Sequence, residues 1–196
     1  KVLIEINKED SIIYNSSQII ESNFWKYTSL RFEIIRYFLR KYNIKKFYQA
    51  EIDNLLFNFD ELDSKFDKKG KGLFAPRHSI DAAIASFFYC NNNYILDQLI
   101  KMYSPPFNAK NDMFALGMLS KESNNFFSLA TESYCKNSNF WEIISPDYTN
   151  GIFDAAAIGQ FCLGIDPNIN KYEPTYNLFV NKNTKADFND VQISSN

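Results

Sequence analysis

The sequence predicts an α/β layered domain. Short apolar runs of strand type alternate along the chain with segments of helical period. Asn, Gly and Pro clusters punctuate the boundaries between them. The 196 residues, 45% hydrophobic and 22% charged, are ample for one sizeable core. A single domain over residues 1–180, with a polar tail at 181–196, is the expected organisation.

The helical and extended segments can be taken in order. Residues 1–6 (KVLIEI) read as a strand, and 11–14 as a second short one. Ser22-Asn23 offers an N-cap for a helix over 24–42. There Tyr27, Leu30, Ile34 and Phe38 fall at i, i+3, i+7 and i+11, and Ile35, Leu39 and Tyr42 widen the stripe. Its basic last turn suits the negative end of the helix dipole. Asn43 ends the pattern, and residues 44–50 read as a strand entering the core. A short helix is expected at 59–66, an exposed turn at 68–72 and a buried strand at 73–76 stopped by Pro76.

Residues 84–90 (IASFFYC) form the most apolar strand candidate. A helix follows at 94–103, with Ile95, Leu96, Leu99 and Ile100 on one side, ended by Pro105-Pro106. Further helices are expected at 112–119, 125–134 and 154–161. Residues 140–144 are short and apolar, and 176–180 read as a last strand.

Composition excludes several classes of function. With 21 Lys+Arg against 23 Asp+Glu, the net charge of −2 argues against nucleic-acid binding through phosphate neutralisation. No apolar run reaches the ~20 residues that cross a bilayer, and 17% aromatic residues argue against disorder. The surplus of 19 Phe, 12 Tyr and 23 Asn fits an AT-rich coding sequence. Cys90, Cys135 and Cys162 are far apart and form no C-x-x-C pair, so neither a structural zinc nor a disulfide framework is expected. Reduced thiols and the lack of a signal-peptide pattern point to the cytoplasm.

The chemistry is concentrated around Glu51-Ile52-Asp53. Two residues apart on an extended backbone, the two carboxylates point the same way. Carboxylates converging at a strand end repel unless a cation sits between them. Mg²⁺ or Mn²⁺ suits such oxygen ligands and completes its shell with phosphates. Glu51 and Asp53 are therefore candidate ligands of a divalent cation, which would neutralise a leaving diphosphate. The plainer reading is a strand-end pair capping the next turn.

These segments resemble the nucleotide-sugar glycosyltransferases of the GT-A fold, of the bacterial surface-polysaccharide type. That family carries a helix with a Y-x-x-x-R setting, a strand ending in D-x-D and a short D-L-D-E-L-like helix. Tyr27–Arg31, Glu51-Ile52-Asp53 and Phe59-Asp60-Glu61-Leu62 are similar, with Glu51 replacing the first Asp. Downstream, Asn111-Asp112 is similar to the family's D-Q motif, and 151–167 (GIFDAAAIGQFCLGIDP) to its glycine-bounded motif. The resemblance implies a Rossmann-related mixed sheet flanked by helices. It implies transfer of a sugar from a nucleotide-diphosphate donor to a glycan or lipid-linked acceptor, at the inner face of the membrane. Asp112 and Asp154 would orient or deprotonate the acceptor hydroxyl. Arg31, Asn91 and Gln160 would contact substrate. The family also places a nucleotide-binding β-α-β half before the D-x-D strand. The segment before Glu51 is short for one, so that half is expected to be trimmed or reduced, or the activity lost.

The remaining chemistry-bearing residues have plain readings. His78, the sole histidine, follows Arg77 at a strand end and reads as an exposed loop residue. Trp25 and Trp141 are the kind of aromatics that stack on sugars, but they read as core. Cys90 reads as an inert buried thiol.

Overall fold

A computed structural model describes residues 10–17, 19, 23–51, 61–77, 79–131 and 141–153. The chain divides into two units, Lys1–Ala155 and Ala156–Asn196, and every described residue belongs to the first. The expected strands at 1–6 and 176–180 and the helix at 154–161 lie outside the described residues, as do Asp53, His78, Asp154 and Gln160.

Helix α1 spans Asn23–Lys41, α2 Leu62–Lys69, α3 Tyr94–Lys101, α4 Asp112–Glu122 and the single turn α5 Pro146–Thr149. Strands β1 (Phe47–Ala50), β2 (Leu73–Pro76), β3 (Phe87–Cys90), β4 (Phe126–Leu129) and β5 (Ile143–Ile144) form one sheet in the order β1-β3-β2-β4-β5. β3 runs antiparallel to both neighbours, and β2, β4 and β5 run parallel. The result is an α/β mixed sheet compatible with a Rossmann-like arrangement. The carboxyl ends of β1, β2, β4 and β5 therefore share one edge, and β3 alone starts there.

Strand alternation builds two cores. Leu73, Ala75, Phe88 and Cys90 face α1, α3 and α4. Phe74, Phe87, Tyr89, Leu129 and Ile144 face Leu62 and Phe66 of α2. β2 and β3 are buried on both faces, which is why they read as continuous apolar runs. At the close of α1, Asn43 adopts φ 53° and the Ile44 amide returns to the Leu39 carbonyl at 2.9 Å, a Schellman-type stop.

The structure corrects four expectations. Residues 11–14 form turns, not a strand. Their work is to engage α1, since the Ser11 hydroxyl and the Ile13 amide both donate to the buried Glu33 carboxylate. Second, the buried face of α1 runs through Leu30, Phe32, Glu33 and Leu39, while Tyr27 is 68% exposed. Third, α2 starts three residues later than expected, at Leu62.

The fourth correction is the largest. In place of the helix expected at 125–134, the described residues form strand β4 at Phe126–Leu129. Phe126 packs into the first core while its neighbour Phe127 stacks on Phe74 at 4.5 Å in the second. Adjacent aromatics can serve two opposite layers only on an extended backbone. Pairing with β2 also supplies the backbone partners that an isolated short helix would have to find internally.

Candidate functional site

The carboxyl edge of the sheet gathers three of the residues singled out from sequence. Glu51 leaves β1 there, and its amide donates to the Ser86 carbonyl at 2.8 Å, just before β3. Asp112 opens α4, a position favoured by the helix dipole. The Asn111 side chain caps this helix by accepting the Phe114 amide at 3.0 Å, and the Asp112 carboxylate accepts the Met113 amide at 2.9 Å. The Ala83 amide donates to the Met113 carbonyl at 3.1 Å and ties the α4 start to the segment leading into β3.

Arg31 joins the two carboxylates. From the middle of α1, Nη1 donates to Glu51 and Nη2 to Asp112, while Nε donates to the Thr28 carbonyl at 2.7 Å. Asp112 is almost wholly buried, with 3% of its side chain exposed, whereas Glu51 at 38% reaches solvent. Burial pulls the guanidinium pKa down, but the Asp112 charge and the hydrogen bonds that Arg31 donates to both carboxylates outweigh it, so the net shift is upward. The cluster thus holds a permanently charged fork between a buried and a half-exposed carboxylate.

This geometry bears on the expected metal. Of its two expected ligands only Glu51 is described, and Arg31 is already the cation on its carboxylate. A divalent ion would have to displace or repel that guanidinium, so Glu51 as arranged does not fit a metal. Among the described residues no group of three or more His, Cys, Asp or Glu side chains is placed to hold one.

Asn91 is not brought to this cluster. It follows the carboxyl end of β3, which runs against β1 and β2, and so sits at the opposite edge. Its side chain is used in the turn before β2, accepting the Gly72 amide at 2.7 Å and donating to the Gly70 carbonyl at 3.0 Å and to Asp67 at 2.8 Å. Those bonds stabilise the turn and orient Asp67, a structural task rather than contact with a ligand beside Glu51. Trp141 is only partly buried, in contrast to the expected core position.

Sequence reasoning named Arg31, Glu51 and Asp112 separately but not their joining. The signal available was charge alone: an Arg off the apolar stripe of α1 and carboxylates at two element ends.

No family model matches the chain, and no curated protein or solved structure matches it. Among the described residues no helix is long and apolar enough to cross a membrane.

Proposed function

We propose that the chain is a GT-A-like domain that takes a nucleotide-diphosphate sugar and transfers the sugar to a glycan or lipid-linked acceptor. The observation that supports this reading is Arg31 bridging Glu51 and Asp112 at the carboxyl edge of the sheet. Open α/β sheets bind their ligands outside the carboxyl ends of strands. A planar guanidinium fork matches phosphate oxygens and takes them in two parallel hydrogen bonds.

In this reading Glu51, the more exposed of the two carboxylates, yields its place on Arg31 to the donor diphosphate. Asp112 stays on the fork and keeps it aimed. The departure of Glu51 would uncover the buried Asp112 carboxylate, which would then accept a hydrogen bond from the acceptor hydroxyl and orient that oxygen for attack. Asp53 remains the candidate ligand for Mn²⁺ or Mg²⁺, which when bound would neutralise diphosphate charge. Asp154 remains a candidate on the acceptor side, and Gln160 a candidate substrate contact.

A second reading has its own support. Arg31 seated on Glu51 suits a catalytically degenerate relative that binds carbohydrate or serves in assembly without transferring sugar.

Calorimetric titration of UDP and GDP, each with and without Mn²⁺, into wild type, Asp53→Ala and Glu51→Gln separates the two. The transferase reading expects wild type to bind a nucleotide diphosphate, Asp53→Ala to lose the Mn²⁺-dependent part and Glu51→Gln to bind at least as well. Equal Mn²⁺-dependent binding by wild type and Asp53→Ala would remove the metal assignment. Binding of free oligosaccharide but of neither nucleotide by wild type would favour the second reading.

A further inference from the structure

Arg77 is a second feature of the carboxyl edge, and the transferase reading makes no use of it. It directly follows β2 and is bridged to Ala83, and its carbonyl accepts the Thr131 hydroxyl at 3.5 Å. It is among the largest wholly buried side chains of the described residues, 2% exposed. A buried guanidinium ordinarily meets a carboxylate or several carbonyls, because desolvating the charge without a partner is strongly unfavourable.

Arg77 meets neither among the described residues. Its Nε has no hydrogen-bond partner, and no carboxylate reaches salt-bridge distance. The nearest acidic influence is Asp81, which is itself largely exposed and paired with Lys121. Desolvation pulls the Arg77 pKa down to about 10, only partly offset by Asp81. The guanidinium instead lies 4.5 Å from the centre of the Trp141 ring and 5.9 Å from that of Phe126.

The alternation of β2 explains this placement. Leu73, Ala75 and Arg77 share one face, and Phe126 packs on that face as well. Arg77 therefore folds back over β4 toward Trp141, two residues before β5. A ring face under the cation offsets part of the desolvation but leaves the N–H donors in the guanidinium plane unused. Trp141 and Phe126 are only partly buried, so the edge of this arrangement reaches solvent.

We propose that Arg77, held on the face of Trp141, is the binding group of an oxyanion site that takes a phosphate- or carboxylate-bearing ligand. The stacked ring fixes the plane of the fork, and the in-plane donors then hold a planar carboxylate or two phosphate oxygens in parallel. The site is distinct from the Arg31 cluster, whose guanidinium already has two carboxylates.

Trp141 provides the test. The chain has two tryptophans, so Trp25→Phe leaves Trp141 as the sole indole reporter. Inorganic phosphate and sodium malonate are titrated separately into this protein, against sodium chloride at matched ionic strength. A saturable change in Trp141 fluorescence with phosphate, malonate or both is expected. Response to phosphate alone assigns a phosphate-bearing ligand, and response to malonate alone a carboxylate-bearing one.

Adding Arg77→Met is expected to weaken the response by at least roughly tenfold, since the charge-assisted pair is lost. Arg77→Lys, which keeps the charge and loses the fork, is expected to fall between. In oxyanion-free buffer Arg77→Met is expected to unfold at a denaturant concentration no lower than its parent. The proposal is overturned if Trp141 answers neither anion, if it answers equally with and without the Arg77→Met substitution, or if Arg77→Met is much less stable without any oxyanion. The last result would mean that the chain itself supplies the partner. The first readout needs no substitution at Arg77, so a variant that fails to fold does not shield the idea.

Discussion

Asp112 is the residue on which the site turns. With 3% of its side chain exposed it depends on Arg31 for charge compensation. Removing one partner of a buried pair strands the other, at a cost of about 3–5 kcal/mol. Arg31→Met is therefore expected to lower unfolding free energy by about that amount, measured by urea denaturation. The Arg31→Met/Asp112→Asn pair should recover much of the loss, because no buried charge then remains. A double variant as unstable as the sum of its parts would place the role of Arg31 elsewhere.

Asp67 makes a different contribution. Its carboxylate accepts from Asn91 and Tyr89, both at 2.8 Å, and from Lys46 at 3.2 Å. The Asn91 bond leads in holding its pKa below the ordinary 3.8, with Tyr89 and Lys46 adding to it. A depressed folded-state pKa means stability that is present above the unfolded value and lost as pH falls through the folded one. Wild type should therefore lose more stability than Asp67→Asn on titration from pH ~5 to below pH ~3, read as urea midpoints. Parallel acid limbs would show that these bonds do not favour the charged form. Cys90 runs in the opposite sense. Burial in β3 pushes its thiol up to about 12. It should stay unmodified by a thiolate-directed reagent at pH ~8 in the native protein and react on unfolding, as read by peptide mass mapping.

Among the elements, α4 shows how packing positions chemistry. Gly117 faces the loop at Asp81, where an added Cβ would lie 1.9 Å from the Asp81 carbonyl oxygen. The missing side chain lets the helix approach the segment that enters β3, which in turn aligns Asp112 with Arg31. Alanine gains about 1 kcal/mol of helix propensity over glycine. Overpacking against rigid backbone should exceed that, so Gly117→Ala is expected to destabilise by about 1–3 kcal/mol in denaturant titration. A stabilised variant would show the loop to be free to retreat.

The same elements show what sequence reveals. α3 and β2 were legible because periodicity and burial agree in them: Ile95, Leu96, Leu99 and Ile100 repeat at helical spacing and are all buried. β4 was not. Phe126, Leu129 and Ala130 fall at i, i+3 and i+4 and so imitate a helix, while the decisive fact is that two layers need an aromatic each. α1 was legible as a helix but not in its orientation. Glu33 is buried because Ser11 and Ile13 reach it, a long-range contact that periodicity does not carry.

At the scale of the molecule, the mixed sheet fixes which strand ends meet. β3 runs against its neighbours and so carries Asn91, expected as a substrate contact, away from the edge that holds Glu51. The same edge keeps Glu51, Arg77 and the start of α4, so both proposed sites lie on one side of the described fold. Arg31 and its two carboxylates were legible as candidates because each sits at a position with chemical meaning, but their joining depends on how α1 lies across the sheet. Whether that cluster receives a nucleotide diphosphate is the central question. Its most direct answer is the side-chain Nε–Hε resonance of Arg31, assigned by its loss in Arg31→Lys, during titration with UDP and with GDP. The proposed function expects a saturable shift of that resonance with one of them, accompanied by the Met113 amide beside Asp112. Saturating binding that leaves both signals unmoved, or no binding of either nucleotide, would contradict it.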